Sequence, residues 1–156
     1  MTLIIQMQES RAANKVLQVL LHRHYMSSDV KGRRSKAFNV ERRLVKMLSA
    51  NKANHVFRVP VSGSRSFPDV FLVNNVKDLV VAFEVKTTQE SKVKVRREQV
   101  SKLFSFIEAF KKYSNREAVV AVWFSNEGKW VFKRLNGLFS EDIVVSADEE
   151  SNWSPP

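Results

Sequence analysis

The chain contains no cysteine. That excludes a disulfide framework and any thiolate metal site. No apolar run approaches the length of a membrane span, and polar residues break up Leu3–Leu21, so no signal peptide is legible there. A cytoplasmic protein with no membrane partner is the expectation. Internal repeats, a P-loop and a G-x-G-x-x-G are absent. The three histidines, His22, His24 and His55, stand apart from any carboxylate cluster and read as surface or boundary residues. Basic residues also run out: no Lys or Arg follows Arg134, where Glu141, Asp142, Asp148, Glu149 and Glu150 are all acidic.

What remains is an ordinary globular balance. The 156 residues are 44% hydrophobic and 27% charged, enough for one domain with a core. The net charge of +10 is carried by the body of the chain, which therefore suits a polyanionic partner, most simply nucleic acid. Residues 1–30 read as an N-terminal extension, flexible or helical, with a short helix at Val16–Leu21. Residues 31–136 read as the compact domain, and 137–156 as an acidic, partly disordered tail.

Charge is misplaced in one apolar stretch, Phe67–Lys86, which reads as two strands around the turn Asn74–Asp78. Asp69 opens the first strand after Pro68, and Glu84 and Lys86 close the second. Period two puts Glu84 and Lys86 on the face of Val80 and Ala82, opposite Val81, Phe83 and Val85. A hairpin would bring Asp69 within about a residue of Glu84. Two carboxylates around one position suit Mg²⁺, and a nearby ammonium suits attack on a phosphodiester. The E-x-K spacing carries little, since it occurs three times. Its setting in an apolar strand is the signal, and a surface ion pair near a strand end is the competing reading.

A helix from Ser35 to about Ser49 buries Ala37, Val40, Leu44, Val45, Met47 and Leu48 and turns Arg42, Arg43 and Lys46 outward. Glu41 falls within its apolar face, as an inward acid or one at the edge of the stripe. His55–Val59 is a strand whose Arg58 either reaches a phosphate or faces water. A small-residue loop, Val61–Ser66, follows. Lys92, Lys94 and Arg96 alternate with Val93 and Val95 as a cationic extended edge. A helix from Arg96 to about Tyr113 buries Val100, Leu103, Phe104, Ile107 and Phe110, with Phe106 at its margin and Gln99 near the end of the Glu84 strand. Ala118–Phe124 and Lys129–Leu135 form a second hairpin about Ser125–Gly128. The order implies an α/β or α+β domain with a central mixed five-stranded sheet flanked by helices.

Four blocks, KGRRSKAFNVERRLVKML, VFRVPVSGSRSFPDVFLV, VAFEVKTT and KVKVRREQVSKLFSFIEAF, resemble the archaeal Holliday junction resolvases, a branch of the PD-(D/E)xK nucleases. The likeness runs from about Lys31 to Trp130. It implies a restriction-endonuclease-like fold for residues 31–136 and Mg²⁺-dependent hydrolysis, with Mn²⁺ as a substitute and no small-molecule cofactor. By motif, Asp69, Glu84 and the Val85 carbonyl would hold the metal, and Glu41 would bind a metal water or second ion. Lys86 would be the catalytic lysine and Ser62 the loop serine implicated in cleavage. Arg42 and Arg58 match basic positions of the family, and Gln99 a helix glutamine. Arg33, Arg34, Arg65, Lys92, Lys94 and Arg96 would add phosphate contacts. A homodimer acting on four-way junction DNA, nucleoid-associated when bound, is the implied assembly. Another nuclease of the same fold and a non-catalytic junction-binding protein are the alternatives.

Overall fold

The computed structural model describes residue 32, residues 35–59 and residues 67–156. The short helix expected at Val16–Leu21 lies outside the described residues, as do Arg33, Arg34, Ser62 and Arg65. The chain divides into two units, residues 1–36 and 37–156, and the fold is that of the second.

A five-stranded sheet organises this unit. Its strands are β1 (Asn54–Arg58), β2 (Val70–Asn74), β3 (Leu79–Thr88), β5 (Asn115–Phe124) and β6 (Lys129–Leu135), in that spatial order. Only β3 and β5 run parallel; the other neighbours are antiparallel. The mixed sheet expected from the sequence is therefore present. The crossover from β3 to β5 contains β4 (Lys92–Val95) and helix α2 (Arg97–Glu108), as a parallel pair requires. Helix α1 is described over residues 35–48.

Alternation along the central strands splits the core in two. Val80, Ala82, Val120 and Val122 meet Val100, Leu103 and Ile107 of α2. Val81, Phe83, Val119 and Ala121 meet Leu44 and Leu48 of α1. The two helices thus cover opposite faces. Their sequences dictate this, because each carries one apolar stripe and each strand at the centre is apolar on both sides. The β2–β3 turn is fixed locally: Asn74 Oδ1 accepts the Lys77 N–H at 2.9 Å, and Asp78 takes φ 50°, which Asp tolerates better than most residues.

The C-terminal segment differs from the expected loose tail. Ile143–Ser146 forms strand β7, paired antiparallel with β4 in a separate two-stranded sheet. Trp153, 8% exposed, packs on Phe83 and Phe132 and donates its indole N–H to Glu117 Oε2 at 2.7 Å. Acidity suggested disorder, but Ile143, Val145 and Trp153 supply enough apolar surface to hold the segment. Among the described residues, no helix is long and apolar enough to cross a membrane.

Candidate active site

The β2–β3 register pairs Val70 with Phe83, and the Asp69 N–H donates to the Phe83 carbonyl at 3.0 Å. The ladder ends at that pair, and because Asp69 bonds to Phe83 rather than to Glu84 it lies within one residue of facing Glu84. Both side chains belong to the α2 face. Glu84 is 1% exposed, a position where a carboxylate is costly unless compensated.

The compensation comes from three directions. Lys86 Nζ lies 2.7 Å from Glu84 Oε1. Gln99 Nε2 donates to the same oxygen at 2.5 Å. Lys102 Nζ lies 2.6 Å from Oε2 and 3.8 Å from Asp69 Oδ1. Gln99 is itself oriented, because its Oε1 accepts the Arg96 N–H at the start of α2, 3.2 Å away. This is the reciprocal half of a capping box put to use in holding Glu84.

Asp69 accepts the Val85 N–H on Oδ2 at 2.8 Å. Burial, and then the Glu84 charge beside it, push its pKa from 3.8 up to about 6; the Val85 N–H, Lys102 and Lys86 pull the other way. Burial and a like-charged neighbour therefore outweigh the hydrogen bond and both lysines. In a strand, a residue's N–H and C=O share one edge. The Val85 carbonyl thus opens toward the side where its amide meets Asp69.

These groups fit a divalent cation. Glu84 Oε2 is buried and has no hydrogen bond of acceptable direction, although the Lys102 ammonium is close. Two hard carboxylates and a backbone carbonyl are the kind of sparse donor set that Mg²⁺ completes with water. Among the described residues no cluster of three acidic or histidine ligands exists.

Glu41 accordingly stands apart from the Asp69–Glu84 pair. Its Oε2 accepts from Arg58 at 3.1 Å, on the helix that covers the opposite face. Arg58 also lies over the Phe38 ring at 4.2 Å, and Arg42 approaches that ring at 5.6 Å. Neither of the open readings of Arg58, phosphate contact or plain solvation, foresaw this engagement. Lys92, Lys94 and Arg96 are exposed at β4 and the start of α2, but Lys94 is engaged by Asp142 at 2.9 Å.

Lys102 was not singled out in the sequence. It adjoins the apolar stripe of α2 and passes for a surface lysine. The available signal was its spacing: Gln99, Lys102 and Phe106 recur at i, i+3 and i+7, and so form one stripe of the helix.

Comparison with known proteins decides the family. A model described as archaeal Holliday junction resolvase (Hjc) matches residues 32–153. The chain belongs to the archaeal Holliday junction resolvase family. Among its relatives, crossover junction endodeoxyribonuclease Hje of Saccharolobus islandicus is 37% identical over 112 residues, covering 70% of this chain and 78% of the relative. Hje of Sulfolobus acidocaldarius is 34% identical over 109 residues, covering 69% and 75%. The structure of Hjc from Archaeoglobus fulgidus, a Holliday junction resolvase, superposes with a TM-score of 0.56 at 22% identity, covering 71% of this chain and 84% of that one. The resolvase family thus shares this fold, and the four blocks of the sequence lie largely within the matched span.

Proposed function

We propose that this chain resolves four-way DNA junctions by Mg²⁺-dependent phosphodiester hydrolysis, with Asp69, Glu84 and the Val85 carbonyl as metal ligands. The observation that carries this reading is the convergence of Asp69 and Glu84 on one place, where Lys102 reaches both, with Lys86 2.7 Å from Glu84. When bound, the ion supplies Lewis-acid stabilisation of the phosphate.

The remaining work falls to side chains. Lys86, 25% exposed, is the ammonium best placed to leave Glu84 for a phosphate oxygen or the attacking water. Gln99 keeps the Glu84 carboxylate in place while Lys86 moves. Glu41 and Arg58 act together from the other side of the sheet end, Arg58 toward the DNA backbone and Glu41 as its anchor. Ser62 belongs to this reading by its motif, and Arg33, Arg34 and Arg65 as further phosphate contacts. Arg42, Lys92 and Arg96 supply phosphate contacts that position the DNA without reading its sequence.

The homodimer has a candidate surface. Phe57 and Phe71 stack at 4.8 Å, Phe71 meets Phe106 at 5.2 Å, and Phe106 meets Phe67 and Phe110. Phe57 and Phe67 are about half exposed, at 48% and 49%. An aromatic row open to solvent beside an edge strand is suited to burial by a second copy. Two-fold symmetry then matches two equivalent scissile phosphates.

The test compares cleavage of a synthetic four-way junction with that of a linear duplex of the same arms, with and without Mg²⁺, alongside Glu84→Gln. Paired nicks in the junction alone, dependent on Mg²⁺ and absent in the variant, are expected. Equal cutting of the duplex would instead indicate a general nuclease of this fold. Junction binding without nicking would indicate a non-catalytic binder.

A further inference from the structure

Lys102 is only 11% exposed, and its ammonium sits between the two carboxylates, 2.6 Å from Glu84 Oε2 and 3.8 Å from Asp69 Oδ1. The oxygens of Glu84 are divided: Oε1 takes Lys86 and Gln99, while Oε2 has only Lys102. Two carboxylates and two ammoniums leave the cluster close to neutral. A divalent ion added on top of both lysines would set four positive charges against two negative ones in a largely buried place, which is strongly unfavourable. One lysine must therefore leave as the ion enters. Without DNA, Lys86 has no phosphate oxygen to move to and stays on Oε1, whereas Lys102 lies between the two carboxylates, on Oε2 and toward Asp69.

An alternative seat exists on the same helix. Glu98 precedes Lys102 by four residues, the arrangement that favours a Glu–Lys pair on a helix surface. Glu98 is 67% exposed and its Oε1 already meets Arg97 Nε at 3.2 Å, a solvent-exposed pair that Lys102 would join, and both residues line an open groove with Arg97, Ser101, Ser105, Leu138 and Phe139. A lysine withdrawn from Glu84 would pass along that groove to Glu98 without crossing the core.

We propose that Lys102 is a resident counter-ion that neutralises Asp69 and Glu84 in the metal-free enzyme, yields its place to the divalent ion, and so sets the metal affinity of the site. This rests on the reading of Asp69 and Glu84 as metal ligands. Lys102 is in this sense a positioning residue, keeping the two carboxylates together before metal arrives and weakening metal binding in exchange.

The test is Mn²⁺ binding by calorimetry to the full chain without DNA, for the wild type, Lys102→Met, Lys102→Arg and Glu84→Gln. Removing the competing charge in Lys102→Met is expected to tighten Mn²⁺ binding by about tenfold. Lys102→Arg keeps the charge and stays near the wild-type affinity, and Glu84→Gln loses binding. Unchanged or weaker binding by Lys102→Met, with wild-type binding intact, overturns the counter-ion role alone. So does tighter binding by both Lys102 variants, because charge would then not be the cause. Absence of Mn²⁺ binding in the wild type overturns the metal-site reading and this proposal together. A crystal structure of the wild type with Mn²⁺ gives a check that needs no variant to fold: Lys102 Nζ should lie beyond hydrogen-bond reach of Glu84, and an ammonium still seated on Oε2 beside the ion refutes the exchange.

Discussion

The Val85 amide donates to Asp69 Oδ2 at 2.8 Å, and this one bond ties the end of β3 to the residue that opens β2. It draws a carboxylate into a place where burial and Glu84 hold its pKa at about 6. The folded state therefore binds that proton more tightly than the unfolded chain does. The stability this provides is full below the ordinary value near 3.8 and is lost as pH rises through 6. Asp69→Asn should abolish cleavage while leaving junction binding intact. It should also be more stable than the wild type at pH 8, by about 1–3 kcal/mol, with the gap closing toward pH 4. Calorimetric melting across that range checks it; a gap independent of pH would contradict the assignment.

Lys86→Ala should lower single-turnover cleavage by roughly 10²-fold or more, the scale of losing one charge-stabilising group. Junction affinity should change far less. Near-normal turnover would remove Lys86 from the chemistry.

Phe57→Asp places a charge in the aromatic row, against Phe71. Sedimentation should show a dimer for the wild type and a monomer for the variant. Paired nicking of one junction should give way to single nicks, and a dimer that persists would move the interface elsewhere.

Trp153→Ala removes a side chain that packs on Phe83 and Phe132 and satisfies Glu117. Denaturant unfolding should show a loss of about 3–5 kcal/mol. A loss under about 1 kcal/mol, the scale of a surface substitution, would mean the segment is not part of the core.

The hairpin, the two helices and the closeness of Asp69 to Glu84 were legible because each rests on a short-range rule: period two, period 3.6, and a turn that fixes register. Gln99 was legible for the same reason, lying at the start of a helix whose buried face was plain. The position of Glu41 was not. Period 3.6 puts it on or at the edge of the α1 stripe, yet the sheet face that α1 covers depends on tertiary packing, and Arg58 claims its carboxylate. Lys102 was hidden because a lysine beside an apolar stripe normally lets its stem lie on the core while its head seeks water; here the head turns inward. The C-terminal segment was misjudged because its acids spoke louder than Ile143, Val145 and Trp153, whose partners are remote in sequence.

The three tryptophans all sit on the α1 side of the sheet: Trp123 under the Arg43 guanidinium at 3.8 Å, Trp130 beside Trp123, and Trp153 against Phe83. The acid pair and its lysines lie on the other side. Tryptophan fluorescence is therefore a reporter of one layer only. It will follow the seating of α1 and the C-terminal segment during unfolding, and it will stay nearly silent while ions come and go at Asp69 and Glu84, so metal titrations need a probe of their own.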